Sequence, residues 1–336
     1  MKNFILFTAM TVLAISTPAY ARDVATSIED MTADLGVPAQ HKKNNGKVLK
    51  CEHRGTKQVT LSSDNETTTY KATYLNCREK GTVRDGIFEI VKKGDEVVAN
   101  TAKRSVNGEL FDAVLANDTG KVKTLLKKKA DVNYSESINK AKGGAIDEWT
   151  PLMSAVMNEN TEMVKLLVGA GAWVNYMNSE AVNALWIAAN KGNLPLVKYL
   201  VSRGAYIDNQ GVDDMTPLML AAINGNYALA KFLIKSRADL NLKHKEGDSA
   251  LMFAVSRGHM EMAKLLIDSG ANLNIQNKYG ITALIIASVE GNSEIVEKLV
   301  NSKADQTLTT DFGKTALEIA TAKGHTKIVE LLTQHR

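Results

Sequence analysis

The chain is short of cysteine, of net charge and of catalytic motifs, and it has no apolar run suited to spanning a membrane. Only Cys51 and Cys77 occur in 336 residues. Two thiols cannot close a tetrahedral metal site without further ligands, and only His41 and His53 lie near them in sequence. No metal and no cofactor is therefore expected. The formal net charge is +4. That small excess lies before residue 108, so the rest of the chain is close to neutral and offers no basic face suited to nucleic acid. The run Lys127-Lys128-Lys129 reads as a solvated helix end, where cations suit the helix dipole.

The apolar stretch Phe4 to Ile15 is too short to cross ~30 Å of hydrocarbon. It follows Lys2 and precedes Ala19-Tyr20-Ala21. This is the pattern of an export signal cleaved after Ala21, so residues 1–21 are read as a signal peptide. No twin arginine precedes the run and no cysteine follows the cut. The general secretory route is expected, with no lipid or permanent membrane anchor and a periplasmic or secreted location. In an oxidising compartment Cys51 and Cys77 read as a disulfide, worth on the order of 3 kcal/mol. Two unpaired buried thiols are the alternative.

Catalytic signatures are missing too. There is no G-x-S-x-G, H-E-x-x-H, phosphate-binding Walker loop or G-x-G-x-x-G. A Cys-His nucleophile pair is conceivable at Cys51, but a disulfide would abolish it. The adjacent carboxylates Asp147-Glu148 and Asp213-Asp214 read as exposed loop residues, since a cation needs several more oxygens. The chain is read as not an enzyme.

What is present is a repeat. Thr150-Pro151-Leu152 is followed at steps of 33 residues by Asn183-Ala184-Leu185, Thr216-Pro217-Leu218, Ser249-Ala250-Leu251, Thr282-Ala283-Leu284 and Thr315-Ala316-Leu317. Alanine stands five places after each start, at Ala155, Ala188, Ala221, Ala254, Ala287 and Ala320. Glycine stands nine places after it at Gly192, Gly225, Gly258, Gly291 and Gly324. A second apolar set at helical spacing follows, as in Ile295-Val296-Leu299-Val300, and then an Ala-x-hydrophobic-Asn segment such as Ala271 to Asn274. A hydroxyl or amide before an apolar run caps a helix, proline suits its first turn, and glycine ends it in a left-handed conformation. Such a unit cannot bury its apolar face alone, so the units must stack.

This pattern resembles the ankyrin repeat. The resemblance covers about two thirds of the chain and implies a mostly α fold, a solenoid of about seven helix-turn-helix units with β-hairpin fingers, over residues 107–336. A diverged first unit carries Leu110, Ala113, Val114, Val122 and Leu125. The join from Asn133 to Thr150 is nine residues longer than the others and reads as an extended finger. His259 and His325 stand where such units place histidine for structural hydrogen bonds.

Residues 22–106 do not match the repeat. Asp23 to Leu35 reads as a short amphipathic helix. Val48–His53, Gln58–Leu61, Thr67–Leu75, Gly86–Lys92 and Glu96–Ala99 read as strands, with turns at Ser63-Asp64-Asn65, Arg84-Asp85-Gly86 and Lys93-Gly94-Asp95. A small β-rich domain is expected here, ahead of the solenoid.

The resemblance implies a partner protein held by the finger tips and the exposed side of each first helix. By position the candidate residues are Trp149, Met157, Glu180, Val182, Lys191, Asp213 and Met215. They continue at Ile223, Glu246, Arg257, Tyr279, Ile281, Val289 and Phe312. The apolar members would form an intermittent strip of the kind found at interfaces, and the acidic fingers would steer a basic partner. Val182, Ile281 and Phe312 have a second reading, packing between adjacent fingers. Trp173 and Tyr206 occupy equivalent positions, and read either as an exposed ledge or as packing against the long insertion or the N-terminal region. Three functions stay open: an exported binding protein (inhibitor, immunity protein or scaffold), a secreted effector acting on host proteins, or an enzyme or ligand-binding activity within residues 22–106.

Overall fold

The computed structural model describes residues 50–52, 57–61, 67–79, 82–93, 96–139 and 146–334. The expected signal peptide and the helix expected over Asp23–Leu35 lie outside them. The described residues fall into two compact units. One holds the N-terminal strands together with the first two helices and residues 136–139; the other holds residues 131–135 and everything from 146 onward.

In the first unit five strands form an antiparallel sheet: β1 (Lys50–Glu52), β2 (Lys57–Leu61), β3 (Thr67–Glu79), β4 (Thr82–Lys93) and β5 (Glu96–Arg104). The order is β1-β3-β4-β5, with β2 also paired to β3. The turn expected at Arg84-Asp85-Gly86 is instead inside β4. Gly86 pairs with Tyr74 and Arg84 with Cys77 across a break in register. A bulge absorbs there the irregularity that the turn-prone residues signal. Cys51 stands opposite Cys77 in the β1–β3 register.

Ser105 then caps helix α1 (Val106–Leu115) by accepting from the Gly108 amide, and Asp118 caps α2 (Thr119–Lys127). Leu110, Ala113, Val114, Val122 and Leu125 are all buried, as the diverged first unit requires. Strand β6 (Glu136–Asn139), in the long insertion, lies against β4. The beginning of that insertion is grouped with the first unit.

The second unit opens with β7 (Ile146–Trp149) and continues as six helix pairs. The first helices are α3 (Pro151–Met157), α5 (Ala184–Asn190), α7 (Pro217–Ile223), α9 (Ala250–Ser256), α11 (Ala283–Glu290) and α13 (Ala316–Lys323). The second helices are α4 (Thr161–Gly169), α6 (Leu194–Ser202), α8 (Tyr227–Lys235), α10 (Met260–Asp268), α12 (Ser293–Asn301) and α14 (Thr326–Gln334). Each first helix packs on its own second helix and on the first helix of the next pair.

The reasons are local. Five of the six first helices start on a buried cap: Thr150, Asn183, Thr216, Ser249 and Thr282 accept from the amide three residues on, at 2.8–3.4 Å. All six repeat alanines have zero exposure, so neighbouring helices meet at these positions without a larger side chain between them. Around them Leu152, Leu185, Leu218, Leu251 and Leu284 are buried, each contributing roughly 1.5–3 kcal/mol. Among the described residues no helix is long and apolar enough to cross a membrane.

Candidate protein-binding face

Between each second helix and the next first helix the chain turns back as a finger, and the fingers share one geometry. The amides of Asn178, Gly211, His244, Asn277 and Thr310 each donate to the carbonyl four residues on, at 3.0–3.1 Å. A residue of positive φ forms each tip: Ala181, Asp214, Gly247, Gly280 and Gly313. Gly280 is pressed from outside as well, since a Cβ there would meet the Thr309 carbonyl oxygen at 2.6 Å. Successive fingers are hydrogen-bonded to one another: Lys245 donates to the Asp213 carbonyl, Lys278 to Glu246 and Asp311 to Tyr279, at 2.9–3.0 Å. Side chains reinforce the row, with Gln210 Nε2 reaching the Lys243 carbonyl and Gln276 Nε2 the Thr309 carbonyl.

This row sorts the candidate residues. Phe312 is 90% exposed and Tyr279 48% exposed, so both finger aromatics face solvent. Lys191 and Arg257, at the ends of α5 and α9, are exposed, while Trp149, Met157, Glu180, Ile223, Ile281 and Val289 are half-buried. Val182 and Met215 are corrections to the expected strip, because both are buried and belong to the core. At Met215 the neighbouring cause is Trp186. Its indole donates to the Met215 carbonyl at 2.8 Å, and its ring fills the space beside Gly211 that a Cβ would need.

The acidic fingers are corrected too. Asp213 is paired with Lys245 at 2.5 Å, and Glu246 is paired with Lys278, which also lies over the Tyr279 ring. Each carboxylate is answered by a lysine from the next finger, so these two positions contribute little net field toward a basic partner. Trp173 and Tyr206 are exposed within this unit, at 63% and 61%.

The described histidines of this unit serve the fold. Nε2 of His259 lies 3.0 Å from the Ile223 carbonyl oxygen and that of His325 3.4 Å from Val289. His244 Nδ1 accepts from the Asp248 amide and its ring meets Phe253 edge-on. Among the described residues no group of three or more His, Cys, Asp or Glu side chains could hold a metal ion.

Two features escaped the sequence reading. The second helices are capped by Asn160, Asn193, Asn226 and Asn292, at the same 33-residue step. The asparagine or aspartate closing each unit also ties it to the next. Asn133, Asn175, Asp208, Asn241 and Asn274 accept from the amides of Trp173, Tyr206, Asp239, Asn272 and Asp305, at 2.7–2.9 Å. Burial, working against the Asp239 amide bond, pushes the Asp208 carboxyl above its usual range. Both features were visible as spacing; their roles needed the third dimension.

The family model for ankyrin repeats matches residues 110–211, 218–310 and 270–336, more than half of the chain. The chain belongs to the ankyrin-repeat family. The ankyrin match takes in α1 and α2 as well as the six later pairs. Ankyrin repeats generally bind other proteins, and the protein carries a protein–protein interaction module of this kind. No curated protein matches the chain.

Proposed function

We propose that this is an exported, non-catalytic ankyrin protein that binds another protein of the cell envelope as an inhibitor, immunity protein or scaffold. The observation that carries the binding face is the exposure of Tyr279 and Phe312 on fingers held in fixed register by backbone bonds. A rigid row presenting separated aromatic anchors loses little conformational freedom on association. Met157, Ile223 and Val289 on the first helices extend the same surface. Export rests on the leader pattern of residues 1–21.

Affinity capture from periplasmic extract tests this, comparing the wild type with Tyr279→Asp/Phe312→Asp. A protein retained by the first and lost by the second supports the reading. Identical retention by both removes the fingers from the interface. Fractionation of the mature protein separates a periplasmic role from that of a secreted effector.

Residues 22–106 are proposed to be a small β-rich domain joined by a Cys51–Cys77 disulfide. The support is the β1–β3 register, which sets the two residues opposite each other. Intact mass before and after reduction checks it, and labelling of both thiols without a reductant contradicts it.

A further inference from the structure

The second helices carry a lysine at one fixed position of the repeat: Lys165, Lys198, Lys231 and Lys264, each 33 residues apart. The environment of this lysine changes along the stack. Lys264, on α10, is held between Glu261 at 3.2 Å and Glu294 of α12 at 2.5 Å. Lys298 of α12 is similarly paired with Asp268 at 2.5 Å. The first three lysines have no carboxylate partner among the described residues. They lie instead over aromatic rings, mostly of the next repeat. Lys165 is 6.0 Å from the Tyr199 ring centre, Lys198 5.8 Å from Phe232 and Lys231 5.9 Å from Tyr227. Arg203 lies 5.2 Å from the centre of the same Tyr199 ring.

Helices α6 and α8 contain no acidic residue, and all four cations are exposed. The near-neutral sum of the repeat region therefore conceals a segregation. One end of this face is internally neutralised; toward the other, cations predominate, Glu162 of α4 being the one acidic residue in α4, α6 and α8. Rings beneath the cations restrict where they point without removing their charge.

We propose that the exposed face of α4, α6 and α8 is a second interaction surface, distinct from the fingers, that takes an acidic segment of a partner protein. Charge complementarity selects the occupant. An extended chain of carboxylates can meet one cation per repeat along the stack. An anionic membrane suits the surface less well. Interfacial insertion needs several apolar groups standing beyond the cations, whereas Tyr199 and Phe232 are half-buried and lie under them, and of the three rings only Tyr227 is exposed.

The test uses the full chain and a fluorescein-labelled oligoglutamate peptide, read by anisotropy at low ionic strength. Binding is expected for the wild type, weakened roughly tenfold or more by Lys198→Glu/Lys231→Glu and by high salt. The control Lys264→Gln removes a lysine from the same repeat position on the neutralised end, and binding is expected to stay within about twofold of wild type. Circular dichroism melts of each variant establish that it is folded. Absence of wild-type binding, equal weakening by both variants, or binding to phosphatidylglycerol vesicles in preference to the peptide overturns the proposal. Tyr279→Asp/Phe312→Asp is carried through the same titration. Its loss of envelope-protein capture with undiminished peptide binding identifies two surfaces, so failure of either reading is seen separately.

Discussion

A single position shows how much of this fold rests on one residue. Gly225 and Gly258 both end a first helix at φ near 70°. They differ in what lies beside them. A Cβ at Gly225 would come 2.7 Å from the His259 ring, whereas at Gly258 it would meet nothing within 4 Å. Gly258→Ala is expected to cost roughly 1–2 kcal/mol for the backbone alone. Gly225→Ala should cost more, since it also disturbs the His259 bond to Ile223. Chemical denaturation of both variants checks the order, and equal losses would show that the ring moves freely. Glu159 occupies the same repeat position with φ of 55°, so a side chain there is strained but possible. The spacing makes the glycine legible in sequence. The histidine ring that fills its missing side chain comes from the next repeat and cannot be read from local pattern.

At the scale of the helix, capping residues determine where elements begin, and the last pair adds a pH dependence. Thr315 and Glu318 form a reciprocal capping box at the start of α13. The Thr315 backbone amide, then its hydroxyl, hold the Glu318 carboxyl below its ordinary value. A carboxylate whose folded pKa is depressed stabilises the fold above its unfolded pKa. That contribution is lost as pH falls through the folded value. Amide exchange at Thr315, corrected for intrinsic pH dependence, should therefore lose protection on acidification below the ordinary glutamate range. In Glu318→Gln that step should vanish, and an unchanged step in the variant would assign it to another group. The first-helix starts were legible because Thr, Ser and Asn recur before an apolar run. The β4 interior was not, because Arg84-Asp85-Gly86 has turn chemistry and the bulge opposite β3 accommodates it.

For the whole molecule, a stack in which contacts run between adjacent pairs should lose structure by pieces. Leu332 is buried in the last helix, while α7 and α8 stand several repeats away. Leu332→Ala is expected to cost about 2–5 kcal/mol locally. By hydrogen exchange it should deprotect α13 and α14 while leaving α7 and α8 nearly as protected as before. Uniform deprotection would mean that the repeats unfold as one. Fold class and repeat phase were open to sequence because 33-residue periodicity repeats every local signal. The binding face was only partly so. Val182 and Met215 look like surface residues by position, yet burial removes them. Asp213 and Glu246 look like a field, yet lysines one finger away answer them.

The central claim is that the hydrogen-bonded row of fingers holds a partner protein through exposed aromatics. It is tested most directly by placing a photo-crosslinking phenylalanine analogue at position 312 or 279 of the full chain and irradiating intact cells. The account predicts a discrete adduct with the same protein from both positions, absent from an analogue placed at buried Leu332. A folded, correctly located protein that yields no adduct from either finger would contradict it.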